Sequence, residues 1–114
     1  MKPMTIERYH DVLKAHAANQ GLEMNPDWDV VEPLLEGLLA NGERYGLRTC
    51  PCRLALGDKE KDRDIACPCL YARADVDEYG ACYCWLFVSQ KWANDTIPHV
   101  QVPERRPPDK LLGL

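Results

Sequence analysis

"TCPCR" at residues 49–53 opens a series of three Cys-x-Cys stretches, continued by "ACPCL" at 66–70 and "ACYCW" at 81–85. The three pairs use all six cysteines of the chain: Cys50, Cys52, Cys67, Cys69, Cys82 and Cys84. Residues i and i+2 of an extended segment point the same way, with a backbone advance of roughly 6–7 Å. Each pair can aim two sulfurs at one multi-iron object, or one at it and one just beside it. Closing a disulfide inside such a pair is geometrically poor, so disulfide partners are expected to come from different pairs. Pro51 and Pro68 fix φ and remove a backbone donor, which stiffens two of the three pairs.

The rest of the chain bounds what these thiols can do. At 114 residues it has the size of one domain, read here as residues 1–114 with a cysteine region at 46–96 and a tail at 97–114. A net charge of −4 with no basic stripe argues against a nucleic-acid partner. No apolar run approaches 18 residues, so no membrane span is expected. "MKPMTIERYHDVLKAH" lacks the apolar core of a secretory signal, which points to a cytoplasmic protein. Thiols there are kept reduced, so six of them make a poor passive disulfide framework.

The first half reads as helical. Thr5 can cap a helix reaching about Gln20, with Ile6, Tyr9, Leu13 and Ala17 at helical spacing and Gly21 after its end. A second helix is expected from near Asp29, with Asp29 and Glu32 as a capping box, to a stop at Asn41-Gly42. Its apolar stripe is Val30, Val31, Leu34, Leu35, Leu38 and Leu39, read as core. Beyond Gly46 cysteines replace apolar residues. "DKEKDRDIA" (58–66) suggests a short charged helix with a solvated face, and "WLFVS" (85–89) a strand. From Ile97, Pro98, Pro103, Pro107 and Pro108 predict an extended tail wrapped over the domain. The fold class expected is a small, mainly α-helical protein with a helical N-terminal half and a loop-rich cysteine-bearing C-terminal half.

Counting favours iron over zinc. A [4Fe–4S] cluster takes four thiolates and leaves two, which make one redox disulfide. Zinc takes four and leaves two idle; a binuclear zinc site would bring C-x2-C spacing and a basic segment, and both are absent. The ferredoxin run C-x2-C-x2-C and the thioredoxin C-x-x-C are absent as well. A Rieske centre needs two histidines, while His10, His16 and His99 lie far in sequence from the pairs. A structural zinc-binding interaction module and a simple iron–sulfur electron carrier stay open as alternatives. Trp28, Trp85 and Trp92 are read as core or shielding residues.

From "YGLRTCPCR" onward the sequence resembles the catalytic (beta) subunit of ferredoxin:thioredoxin reductase and its archaeal and bacterial ferredoxin:disulfide reductase relatives. That family carries C-P-C, C-P-C and C-H-C after a helix ending in a G-L…Y-G type segment. Here these are Gly37-Leu38, Tyr45-Gly46, Cys50-Pro51-Cys52-Arg53, Cys67-Pro68-Cys69 and Cys82-Tyr83-Cys84, and the likeness covers roughly residues 30–96. The resemblance implies a [4Fe–4S] cluster on Cys50, Cys67, Cys69 and Cys82, with Cys52 and Cys84 as the active-site disulfide. It implies Cys52 as nucleophile and Cys84 as the cluster-interacting partner. It implies ferredoxin as electron donor, thioredoxin or a similar disulfide protein as acceptor, and a possible second subunit.

Two departures mark the chain. The spacers 53–66 and 70–81 differ in length from the plant-type pattern, a change that surface loops absorb. Tyr83 stands where the family has the histidine of C-H-C, a group associated with proton transfer at the disulfide; a phenol with an ordinary pKa near 10 donates a hydrogen bond but shuttles protons poorly at neutral pH. This points to the archaeal and bacterial branch. Arg53 follows the nucleophile and either favours its thiolate or is a surface charge. The gap from a donor near −400 mV to a thioredoxin near −270 mV is worth roughly 6 kcal/mol for two electrons. No G-x-G-x-x-G or P-loop appears, so the electrons are expected from a protein, with Arg44, Arg48 and Lys91 as docking candidates.

Overall fold

The apolar repeats of the first half fold into two helices that carry most of the core. A computed structural model of the chain describes residues 4–53 and 55–111; Leu54, the first three residues and the last three of the tail lie outside the described residues. Helix α1 spans Ile6–Asn19, and the Thr5 hydroxyl accepts the Arg8 N–H at 3.1 Å, the cap its sequence promised. Tyr9, Leu13 and Ala17 form its buried face. Gly21, at φ +71°, turns the chain out of the helix.

Helix α2 spans Trp28–Tyr45 and is longer at both ends than its sequence pattern suggests. Asp27, not Asp29, is the cap: its carboxylate accepts the Asp29 N–H at 3.0 Å. The expected capping box does not form, because the Glu32 carboxylate takes the Trp28 indole N–H at 3.1 Å instead. Asn41-Gly42 is not a stop. The Asn41 amide donates to the Thr49 carbonyl at 2.9 Å, and Gly42 leaves room for Arg48, whose Cγ would lie 2.9 Å from a Cβ there. The helix ends at Gly46, which adopts φ +76°. Val31, Leu35 and Leu38 are wholly buried, and each contributes about 1.5–3 kcal/mol of apolar transfer. Val30, Leu34 and Leu39 are half-buried beside them.

A two-residue strand that no periodicity foretold, β1 (Glu23–Met24), follows α1 and pairs antiparallel with β2 (Phe87–Val88), Glu23 opposite Val88 and Met24 opposite Phe87. The strand expected over 85–89 shrinks to β2 because Trp85 takes φ +66°. Buried Asn25 then fastens the connection: its N–H donates to the Leu86 carbonyl and its amide to the Trp85 carbonyl, both at 2.9 Å. Thus the α1–α2 link is stitched to the segment just after the third cysteine pair. Of the three tryptophans, Trp92 is buried and Trp85 half-buried, but Trp28 is 40% exposed and is not core.

The charged helix expected over 58–66 does not form; turns lead to a 3-10 helix, Arg63–Ile65. Its charges are not all a solvated face. Asp62 is 1% exposed and accepts the N–H groups of Leu56 and Gly57, while Asp64 accepts the Tyr71 hydroxyl at 2.6 Å. Helix α3 (Ala72–Tyr79) follows, then β2, then α4 (Gln90–Ala93) with Ser89 as its cap.

The tail explains the buried acids. It runs without regular structure from Ile97, buries Val102, and closes with a short helix, α5 (Pro108–Leu111). Three consecutive residues grip three different segments. Glu104 pairs with Arg53, Arg105 with Asp75 and Glu78 of α3, and Arg106 with Asp64 at 2.9 Å. Arg106 also donates to the Lys61 carbonyl, and its own side chain is fully enclosed. Burial opposes ionisation of Asp64, but the hydrogen bonds from Tyr71 and Arg106 outweigh it and hold its carboxyl below the usual range. Its stabilising effect is therefore present above the ordinary aspartate value of about 3.9 and is lost as pH falls through the lower folded value. Removing one partner of a buried pair costs about 3–5 kcal/mol. Arg106→Met should lower the urea midpoint at pH 7 accordingly; an unchanged midpoint would mean that the strap is not anchored there. Among the described residues, no helix is long and apolar enough to cross a membrane.

Candidate functional site

Each cysteine pair hangs from a different backbone feature, and together these features bring the sulfurs to one place. The first pair leaves Gly46 and turns back on itself, with the Arg53 N–H bonded to the Cys50 carbonyl at 3.1 Å. Gly37 of α2 lets it approach: a Cβ at that position would sit 2.9 Å from the Pro51 Cβ. An antiparallel bridge between Thr49 and Ala66 then joins the first two pairs. Across it the Cys50 N–H donates to the Ile65 carbonyl and the Cys67 N–H to the Arg48 carbonyl, each at 2.8 Å. The third pair sits in the turn before β2, where the Cys82 N–H reaches the Phe87 carbonyl at 2.8 Å and the Trp85 N–H reaches the Cys82 carbonyl at 2.9 Å.

The result is a gathered set of thiols on the edge of the main core. Cys82 is part of that core, and Cys67, Cys69 and Cys84 pack against it. The sulfurs of Cys50, Cys52 and Cys84 all lie within 4.8 Å of one another, and those of Cys82 and Cys84 are 3.8 Å apart. Cys50 and Cys82 are buried, Cys67, Cys69 and Cys84 half-buried, and Cys52 is exposed. So the two sulfurs of the first pair differ in depth.

The environment of each sulfur follows from this placement. Burial pushes the Cys67 thiol well up and, despite the Arg53 charge, the Cys69 thiol up; Cys50 and Cys82 charges act on both in the same direction. Hydrogen bonds from Cys50 and then Cys84 draw the Cys52 thiol down to about 3, with Arg53 adding to the effect. Cys84, hydrogen-bonded to Cys50, Cys52 and Cys82 as a free thiol, is held well above the ordinary range. Cys82 is lowered, chiefly by Cys84 and then by backbone N–H groups; the Phe87 N–H donates to its sulfur at 3.3 Å.

Arg53 is the residue whose role the sequence left most open, and the surface-charge reading is wrong. It is 7% exposed. Its guanidinium forks onto the Glu104 carboxylate at 2.8–3.0 Å and sends Nη1 toward the Cys69 sulfur at 3.5 Å. It also lies 4.5 Å from the centre of the Tyr83 ring and 5.4 Å from that of Tyr71. Burial opposes the Glu104 charge, but the bond from Arg53 outweighs it and holds the carboxyl below the usual range. Burial first, then the Glu104 charge, raises the Tyr83 phenol. Glu104 stands 51 residues from Arg53, and nothing in "VPERRPP" marks it beyond charges set among prolines. Of the basic residues proposed for docking, Arg44 and Lys91 are exposed, while Arg48 is half-buried with its guanidinium 4.5 Å from the Tyr9 ring centre.

The donor set suits an iron–sulfur cluster. Buried thiols that resist ionisation are held as thiolates by cationic metal, and N–H···S bonds such as those from Phe87 and Arg53 are the contacts that tune such centres. One tetrahedral zinc ion would draw four sulfurs to within about 3.8 Å of each other at a Zn–S distance of about 2.3 Å. Among the described residues the tight group is a trio, with no fourth cysteine, histidine or carboxylate in it. A four-iron body is larger than one ion and needs its ligands spread wider.

Comparison with known proteins agrees. A family model described as ferredoxin thioredoxin reductase catalytic beta chain matches residues 2–105. No individual curated protein matches the chain.

Proposed function

The chain belongs to the ferredoxin thioredoxin reductase catalytic beta-chain family, and from that premise we propose that Cys50, Cys67, Cys69 and Cys82 hold its cluster while Cys52 and Cys84 form its redox disulfide. Membership carries the activity: the protein is a ferredoxin-dependent thioredoxin (disulfide) reductase that uses a [4Fe–4S] cluster, with ferredoxin and thioredoxin as the classes of partner. The observation that supports the residue assignment is the trio within 4.8 Å, in which exposed Cys52 faces Cys84 beside buried Cys50.

When bound, the cluster supplies single electrons from ferredoxin to the neighbouring disulfide. The protein's own sulfurs then do the exchange. The Cys52 thiolate attacks one sulfur of the target disulfide and expels the other as a thiolate, which takes a proton. Cys84 next attacks the Cys52 sulfur, restoring the Cys52–Cys84 disulfide and releasing the second target thiol. One disulfide is opened for two electrons received. Exposure of Cys52 lets a protein substrate reach it, and half-buried Cys84 is the less accessible of the two sulfurs. Tyr83 stays a neutral hydrogen-bond donor through physiological pH, since burial keeps its phenol above the ordinary range. The cytoplasm, the archaeal and bacterial branch, and a thioredoxin-like target complete the reading.

Anaerobically purified protein should carry four irons per chain and absorb in the visible. Reduction by one disulfide equivalent should expose Cys52 as the first thiol to be alkylated, followed by Cys84. Colourless protein containing zinc, or alkylation of Cys52 without prior reduction, contradicts the assignment. In the same preparation Tyr83→His should add a titration between about pH 5 and 7 to turnover; an unaltered pH profile removes Tyr83 from the proton route.

A further inference from the structure

The strap from the C-terminus ends its anchored stretch on a residue that touches the site. Glu104 is 51 residues from Arg53, yet its carboxylate takes three contacts from that guanidinium at 2.8–3.0 Å. The Arg53 side chain is only 1% exposed and Glu104 is 24% exposed, so the pair is largely shielded from water. A fork of this kind fixes both the position and the plane of the guanidinium. What remains free after Nε and Nη2 are committed is Nη1, and that nitrogen points to the Cys69 sulfur at 3.5 Å. The Tyr83 ring, between Cys82 and Cys84, closes over the same cation at 4.5 Å. The fork alone would fix the strap to the loop; the aim of Nη1 is not needed for that.

We propose that Glu104 and Arg53 are positioning residues for the redox centre: the strap orients Arg53 so that Nη1 donates a charge-assisted hydrogen bond to the Cys69 sulfur and thereby sets the potential of the group Cys69 holds. The proposal rests on the reading that Cys69 is a cluster ligand. Hydrogen bonds and positive charge at a ligand sulfur favour the state with more electrons, so they raise the reduction potential. Neighbouring Glu104 has the opposite direct effect through its charge. Its role through Arg53 is therefore separable from its role as a charge.

The test is a double-mutant cycle on the iron-loaded protein, read as iron content and as midpoint potential by spectroelectrochemistry. Arg53→Met should keep its iron and shift the potential to more negative values. Arg53→Lys keeps the charge but cannot fork onto Glu104 and reach Cys69 together, so it should shift in the same direction by less. Glu104→Gln should shift the potential to more negative values in the wild-type background, where Nη1 loses its aim, and to more positive values in Arg53→Met, where only the direct effect of its charge is left to lose. An equal Glu104→Gln shift in both backgrounds would make Glu104 a simple charge and overturn the proposal, as would iron-loaded Arg53→Met and Arg53→Lys proteins of unchanged potential. Loss of iron from both Arg53 variants would make Arg53 a structural prop and overturn it too. Failure of the underlying ligand reading looks different: Cys69→Ser would retain its iron.

Discussion

Cys52→Ser should abolish thioredoxin reduction while leaving the four-iron visible absorption intact. The serine hydroxyl is isosteric enough to keep the turn, but it is neither ionised at neutral pH nor able to form the mixed disulfide. The loss expected for removing such a nucleophile is about three orders of magnitude or more in turnover. Retention of iron follows from depth. Cys50 is buried, with its N–H on the Ile65 carbonyl and its carbonyl on the Arg53 N–H, so its sulfur is fixed toward the interior. Cys52 is exposed, although its sulfur lies within 4.8 Å of those of Cys50 and Cys84, so exposure and not distance separates it from Cys50. A Cys52→Ser protein that lost its iron would show the opposite division, with Cys50 as the nucleophile. Measurement of iron per chain beside the activity assay decides between the two. A second signature comes from Cys84→Ser: with the resolving sulfur gone, the exchange should stop at a covalent adduct with thioredoxin, visible on a non-reducing gel and absent in Cys52→Ser.

How much of this could be read from the chain depends on range. Local signals were accurate in part: Thr5 caps α1, Val31, Leu35 and Leu38 of the α2 stripe are buried, and sulfurs of the first and third Cys-x-Cys pairs converge. Local signals failed where tertiary contacts overrode them. Asn41-Gly42 has stop chemistry, but Arg48 and the Thr49 carbonyl return to occupy both residues, so the helix runs on to Gly46. Asp27 beat Asp29 as cap by two residues, within the usual error of helix ends. β1 and β2 have two residues each and no period to detect. The largest misreading was electrostatic. Asp62 and Asp64 sit in a run of alternating charges that looks solvated, yet they turn inward onto the Leu56 and Gly57 N–H groups, the Tyr71 hydroxyl and, more than 40 residues later, Arg106. The same tail supplies Glu104 to Arg53. A charge next to proline in a tail gives no hint of its partner, because the pairing is set by how the strap lies across the folded site.

The cysteine quartet carries the second large effect. Cys69→Ser should lose the cluster, and the visible absorption with it, and should also lower stability. The physical reason is connectivity. The contacts between regular elements tie α1, α2, β1 and β2 together most strongly, and among the described residues the stretch from 47 to 71 contains a 3-10 helix as its only regular element. That stretch is held by the Thr49–Ala66 bridge, by the strap, and by whatever its sulfurs bind. A body ligated by Cys50, Cys67, Cys69 and Cys82 closes the spans 50–67 and 69–82. By the chain-entropy estimate for cross-links, each loop of this length is worth about 3 kcal/mol, or about 6 kcal/mol together. Serine is a poor ligand for a soft iron–sulfur centre, so one substitution forfeits most of that. The expected result is protein with little iron, a clear drop in melting temperature, and protease cutting within the 53–66 segment before the helical half. The Arg106 latch keeps the strap in place, so the helical circular dichroism of α1 and α2 should survive below the new transition. Cys69→Ser protein with full iron would remove Cys69 from the ligand set. Iron-free protein with wild-type melting would show that the strap and the bridge hold the site by themselves.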